Sequence, residues 1–209
     1  MSKKRFTIGV AAVAAAASVF VTSFAGPANA RPATTQGNPT IADVVAQSGS
    51  GFDQRAGDFD VLLAALTAAD LVGTLDTPDL DVTVWAPKDR AFVRTARDLG
   101  FTGLATDEEG AWNFLVAALT ELGGGDPIPV LTTILLYHVT PDARGVRRVL
   151  PAERFPTLAR IPIRHEPGST VLRDRDPDFI NPQLVEPLNI WTSNGVIHSI
   201  NKVLLPVDL

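Results

Sequence analysis

The chain has 209 residues, 45% of them hydrophobic and 20% charged, with 18 basic against 23 acidic side chains and a formal net charge of −5. That apolar fraction builds a core and excludes a disordered chain, and the length suits one domain. The absence of cysteine excludes disulfides, thiolate metal sites, iron–sulfur clusters and a cysteine nucleophile in one step.

Lys3, Lys4 and Arg5 precede an uncharged, alanine-rich run from Phe6 to Ala25, then Pro27-Ala28-Asn29-Ala30 with its A-x-A pattern. Basic, apolar and small-residue segments in that order read as a secretory signal peptide over residues 1–30. The rival is an uncleaved anchor, since such a run is long enough to span a bilayer; its weak, alanine-rich hydrophobicity and the A-x-A pattern favour cleavage. No cysteine follows the run, so lipid anchoring is excluded. Cleavage removes three basic residues and no acidic one, leaving 15 against 23 and a net charge of −8. A protein this acidic is a poor match for nucleic acid, and no transmembrane segment is expected after cleavage. Abundant alanine, with arginine outnumbering lysine, suggests a GC-rich bacterial source.

Residues 31–39 read as a flexible N-terminal tail. Thr40 followed by Asp43 predicts a capped helix, and Ser48-Gly49-Ser50-Gly51 a break. Asp58 then reads as the cap of an amphipathic helix carrying Phe59, Leu62, Leu63 and Leu66, with a further turn of helix at Leu71, Val72 and Leu75. Asp81 to Ala86 alternates and is rich in β-formers, so it reads as a strand. A helix with Ala91, Phe92 and Ala96 follows, with Asp89 as its cap. Asp107-Glu108-Glu109 opens another helix that stops at Gly123-Gly124-Gly125. An apolar segment from Val130 leads into Tyr137-His138-Val139. Beyond Pro141, prolines punctuate short β-like runs at Ile161–Ile163, Thr170–Leu172 and Leu188–Trp191, and the chain ends on strong β patterning from Gly195 to Leu205. Helices with one early strand, then a strand-rich half, predict an α+β domain over residues 40–207.

Three segments carry a family likeness. Thr83-Val84-Trp85-Ala86-Pro87-Lys88-Asp89-Arg90-Ala91-Phe92 resembles the first signature of fasciclin domains, T-V-F-A-P-T-[DN]-x-A-F. Leu135-Leu136-Tyr137-His138-Val139 resembles their central Tyr-His segment. Asn194-Gly195-Val196-Ile197-His198-Ser199-Ile200-Asn201-Lys202-Val203-Leu204-Leu205-Pro206 is similar to the second signature, N-G-V-I-H-x-I-D-x-V-L-x-P. Trp85, Lys88 and Asn201 depart from the usual Phe, hydroxyl residue and Asp. The resemblance implies a single wedge-shaped β-sandwich with helices packed along one side. It also implies an extracellular or cell-surface adhesion module, in a family not known for enzymes.

By the same resemblance, Tyr137 and His138 are the binding candidates, joined by Asp89. From the residues themselves, His138 sits among apolar neighbours and is read either as a satisfied structural histidine or as a binding one. Asp89 and His138 are expected to lie together beneath the first strand. Asn194-Gly195 reads as a hairpin turn in which both residues tolerate positive φ. His198 is expected on a strand surface or in an interstrand hydrogen bond.

Other chemistry is not legible. Asp174-Arg175-Asp176-Pro177-Asp178 starts like a calcium loop, but Phe179 and Val185 stand where glycine and glutamate are required, leaving an acidic, arginine-neutralised loop. His138, His165 and His198 show no metal spacing. No Ser lies in a G-x-S-x-G elbow, so neither a catalytic residue, a cofactor site nor a metal site is predicted. Eight arginines fall between Arg144 and Arg175, including Arg147-Arg148. They read as a salt-bridged face, or as a strip contacting an anionic polymer. The expectation is therefore a secreted, non-enzymatic interaction module whose partner is a cell-surface or matrix protein or a polysaccharide. The alternative is a carrier of small apolar ligands in a groove near Leu62, Leu66 and Phe92.

Overall fold

The computed structural model of the chain describes residues 37–49, 51–53 and 55–208, all within one unit spanning 35–209. The signal segment and most of the tail lie outside the described residues.

Helix α1 (Ile41–Gln47) opens on the capping box read from its sequence: the Thr40 hydroxyl accepts the Asp43 amide at 3.1 Å, and the Asp43 carboxylate accepts the Thr40 amide at 2.9 Å. Two short helices, α2 (Asp60–Ala68) and α3 (Val72–Leu75), precede strand β1 (Val82–Pro87). Helix α4 (Asp89–Asp98) turns Ala91, Phe92 and Ala96 inward. Asp107 caps α5 (Glu108–Leu122) by accepting the Gly110 amide at 2.9 Å. Gly124 and Gly125 end that helix with φ of 68° and 113°, which glycine adopts without Cβ strain. Helix α6 (Ile128–Tyr137) then runs into β2 (Val139–Pro141). The strand-rich half comprises α7 (Val146–Val149), β3 (Arg154–Phe155), β4 (Ile163–His165), β5 (Leu172–Arg173), β6 (Ile190–Trp191) and β7 (Gly195–Ile200).

One sheet has the order β2-β1-β7-β6, with β1 and β7 parallel, and the other the order β3-β4-β5. Bridges from Val171 to Gln183 and from Leu184 to Ile200 stitch the two together. Strand β1 is buried along its whole length because it serves two cores. Its even side chains, Val82, Val84 and Ala86, face the helices with Leu62, Phe92 and Ile197. Trp85 points the other way, into a second core with Tyr137, Phe155, Ile163, Leu172 and Ile200. Period-two alternation thus yields a helical layer, a central sheet and a small outer sheet, an α+β domain as predicted. Among the described residues no helix is long and apolar enough to cross a membrane.

Three local expectations change. Asp58 does not cap α2, whose flanking residue Phe59 offers no side-chain bond. Asp89 does not cap α4; it is that helix's first residue, and it caps α2 from a distance of 29 positions in sequence, accepting the amides of Asp60 at 3.2 Å and Val61 at 2.8 Å. Asn194-Gly195 joins a hairpin between β6 and β7, yet neither residue takes a positive φ. Gly195 is instead required by crowding, since a Cβ there would lie 2.4 Å from the Val82 carbonyl oxygen. The fully buried Asn194 side chain accepts the Ile41 amide at 2.9 Å and donates to the carbonyls of Leu75 and Thr77 at 2.7 and 2.9 Å, clamping α1 and α3 together.

Candidate functional site

Tyr137, His138 and Asp89 are all buried, so none offers its side chain to a partner. His138 follows α6, and its Nδ1–H donates to the Ile134 carbonyl at 2.8 Å while Nε2 accepts the Leu204 amide at 2.9 Å. Its own carbonyl accepts the Trp85 amide at 2.9 Å. One residue therefore ties the central segment to both signature segments. The expected pairing with Asp89 is not made: Asp89 turns toward α2. Burial lowers the His138 pKa to about 4, with the Ile134 bond opposing, so the ring is neutral at ordinary pH. Burial likewise raises the Tyr137 phenol well above its usual range.

His198 is fully buried between strands, not on a surface. Its Nε2–H donates to the Arg144 carbonyl at 2.8 Å, Nδ1 accepts the Asn189 amide at 3.3 Å, and the ring stacks on Trp85 at 5.6 Å. Burial lowers its pKa as well.

The arginines sort into a pattern that only the strand register reveals. Arg154 stands opposite Arg164, and Arg164 opposite Arg173, across β3, β4 and β5. Their neighbours Phe155, Ile163 and Leu172 point inward to the second core, so alternation sends all three guanidiniums outward in one row. Like charges directly opposite each other repel. With Arg175, and flanked by Glu153 and Glu166, they line an open depression of about 610 Å³. Among the described residues, Arg173 is the one of the three with an ion pair, to Glu166 at 3.5 Å with both partners exposed. Arg147 and Arg148 lie in the last turn of α7, exposed and in no ion pair among the described residues.

A second charged cluster was not legible in the sequence, because its members are scattered. Asp58, Asp60 and Asp89 present oxygens within 4.8 Å of one another, and so do Asp53, Asp60 and Glu108. Asp60 and Asp89 are buried. Burial, then contact with Asp58, pushes the Asp89 carboxyl up to about 8. Burial and the Asp58 charge also raise Asp60. The Asp174–Asp178 loop is different: Asp174 accepts the Leu205 amide at 2.9 Å, and Asp176 those of Asp178 and Phe179 at 2.9 and 3.0 Å, so these carboxylates are turned onto backbone.

An apolar cavity of about 370 Å³ opens between α4, α5, α6 and the C-terminal segment, lined by Phe92, Trp112, Leu115, Leu131, Ile134 and Val203 among others. Leu62 and Leu66 belong to the core rather than to this cavity.

The fasciclin domain profile matches residues 57–206. Among solved structures, the chain is similar to a FAS1 domain pair from the insect cell adhesion molecule fasciclin I, at 14% identity and a TM-score of 0.52 over 81% of this chain. The match spans about half, 51%, of that two-domain chain.

Proposed function

The chain belongs to the fasciclin domain family, and from that premise we propose that it is an extracytoplasmic interaction module that meets an anionic polymer of the envelope or matrix through its arginine face. Fasciclin domains are adhesion-type modules found in extracellular and cell-surface proteins. The observation that carries the finer reading is the row Arg154–Arg164–Arg173. Adjacent strands lie about 4.8 Å apart, so the row presents three like charges over about 10 Å of one surface. Such a row costs folding free energy and is relieved when anionic groups bind it. The chain's overall negative charge repels a polyanion at long range. The contact therefore works at short range, where guanidinium pairs with sulfate, phosphate or carboxylate geometry. Arg147 and Arg148, seven and six residues before Arg154, supply a second basic contact.

Tyr137 takes an indirect part in this reading, packing in the second core with Phe155, Ile163 and Leu172 beneath the row, whereas Asp89 and His138 hold other segments of the fold. The leader at residues 1–30 would deliver the domain to the exterior. Co-sedimentation with the host's insoluble envelope fraction tests the proposal. Wild-type chain should pellet, and the combined Arg154→Ala, Arg164→Ala, Arg173→Ala chain should stay in the supernatant with its thermal midpoint unchanged or raised. Equal pelleting of the two chains would remove the arginine face from the account.

The 370 Å³ cavity supports a second reading, a carrier of small apolar ligands, since its volume falls in the range of ligand pockets. Native mass spectrometry of chain purified from its host distinguishes them: a co-purifying apolar molecule lost on Phe92→Trp substitution favours the carrier.

A further inference from the structure

Five carboxylates from three stretches of chain converge beside the N-terminus of α2. Asp53 and Asp58 come from the loop before it, Asp60 is its first residue, Asp89 reaches in from the start of α4, and Glu108 from the start of α5. Asp60 is the shared member of both close groups. It is only 4% exposed, and neither of its oxygens has a hydrogen-bond partner. The amides of Gly51 and Asp53 face it and favour its charge, without reaching hydrogen-bond geometry. Both oxygens of Asp58 are also buried and meet no backbone or basic donor, its carboxyl lying instead against that of Asp89. None of the ion pairs among the described residues involves Asp58, Asp60 or Asp89. Asp53, by contrast, pairs with Arg55 at 3.4 Å.

A buried carboxylate with no partner is costly, and nature offsets that cost with a proton or a cation. The oxygens of Asp58, Asp60 and Asp89 lie within 4.8 Å of one another, the separation that two ligands on one calcium ion have at bond lengths of about 2.3–2.6 Å. All donors are carboxylate oxygens and no histidine joins them, a set that suits hard divalent cations and disfavours zinc or copper. Asp89 keeps a free lone pair on each oxygen while capping α2. Gly49 packs against Asp60 so closely that a Cβ there would meet its carboxylate, so glycine leaves the room the buried side chain occupies.

We propose that Asp58, Asp60 and Asp89 bind a calcium-class divalent cation that neutralises this buried cluster and locks the loop before α2 onto the start of α4. The site is distinct from the arginine face and from the Asp174–Asp178 loop, so its failure leaves the proposed function standing.

The test is calorimetric titration of the chelator-treated full-length chain with calcium chloride near neutral pH, alongside thermal melts. The expected result is saturable binding at about 0.1–1 mM, the range of extracellular modules, with a raised thermal midpoint. Asp60→Asn should weaken binding about ten-fold or more, and Asp178→Asn should leave it unchanged. If Asp60→Asn fails to fold, the partly exposed Asp58→Asn takes its place with the same expectation. Magnesium should bind more weakly, because it demands octahedral geometry. No heat and no shift in midpoint up to about 10 mM calcium would overturn the proposal. So would binding that survives the Asp60 or Asp58 substitution, or that disappears with Asp178→Asn.

Discussion

The imidazole of His138 accepts the backbone amide of Leu204 across 66 positions of sequence at 2.9 Å, and this bond joins the central Tyr-His segment to the last signature segment inside a sealed core. With the Ile134 bond fixing the other ring nitrogen, the only consistent state is the neutral Nδ1–H tautomer.

His138 should therefore stay neutral down to about pH 4 in the folded chain, a shift that burial causes. The unfolded chain takes up this proton near the usual 6.5, so between 6.5 and about 4 the unfolded state binds a proton that the fold does not. The stability contributed by His138 is then lost as pH falls through that window. Nitrogen-resolved NMR titration of the ring reads the pKa and tautomer directly. His138→Ala strands the Leu204 amide and should cost about 3 kcal/mol in chemical denaturation.

Asp89 has the opposite sign. Its folded pKa is raised from 3.8 to about 8, so the fold holds a proton that the unfolded chain has released. Stability from this group is full below pH 3.8 and is lost as pH rises through about 8. In chelator, the wild-type thermal midpoint should fall between about pH 5 and about pH 9 by more than that of Asp89→Asn, which cannot ionise. Asp89→Ala, which strands the Asp60 and Val61 amides, should cost about 2 kcal/mol near pH 5 and less above about pH 8, where the wild-type carboxyl is ionised.

Asn194→Ala leaves the Ile41 amide and the Leu75 and Thr77 carbonyls without their partner. The expected loss is about 3 kcal/mol. Hydrogen exchange should show the Ile41 amide losing its protection, whereas a simple turn residue would leave it untouched.

Trp85 stands where the family usually carries phenylalanine, yet Trp85→Phe should destabilise this chain by about 1–2 kcal/mol. The indole Nε1–H donates to the Thr140 hydroxyl at 3.0 Å, and the ring packs on Phe155 at 4.9 Å and on His198 at 5.6 Å. Chemical denaturation followed by far-UV dichroism measures the loss, since Trp112 and Trp191 still contribute to the near-UV signal.

Much of the fold was legible in local pattern. The Thr40 box, the acidic start of α5, the alternation of β1 and the glycine stop after α5 all rest on contacts within a few residues, which is the range that sequence spacing encodes. Asp58 was misread for the same reason: proximity suggests a local cap, whereas the bonds to α2 come from Asp89. Asn194 carries the most common turn signal and spends its side chain on two distant helices instead. The abundance of arginine after residue 144 was visible, but its alignment depends on strand register. The outward charge next to inward Phe155, Ile163 and Leu172 was the available clue. The acidic cluster left no spacing to read, since helix packing alone brings residues 53, 58, 60, 89 and 108 together.

The central claim, that the arginine row is the contact for an anionic polymer, is tested most directly by the affinity of the purified chain for a sulfated or carboxylated polysaccharide across a salt series. The account predicts measurable binding at about 50 mM salt that weakens steeply by about 500 mM, as screening shortens the reach of exposed charges. It also predicts loss of that binding in the Arg154→Ala, Arg164→Ala, Arg173→Ala chain. Binding that persists at high salt, or that is indifferent to the three substitutions, would contradict it.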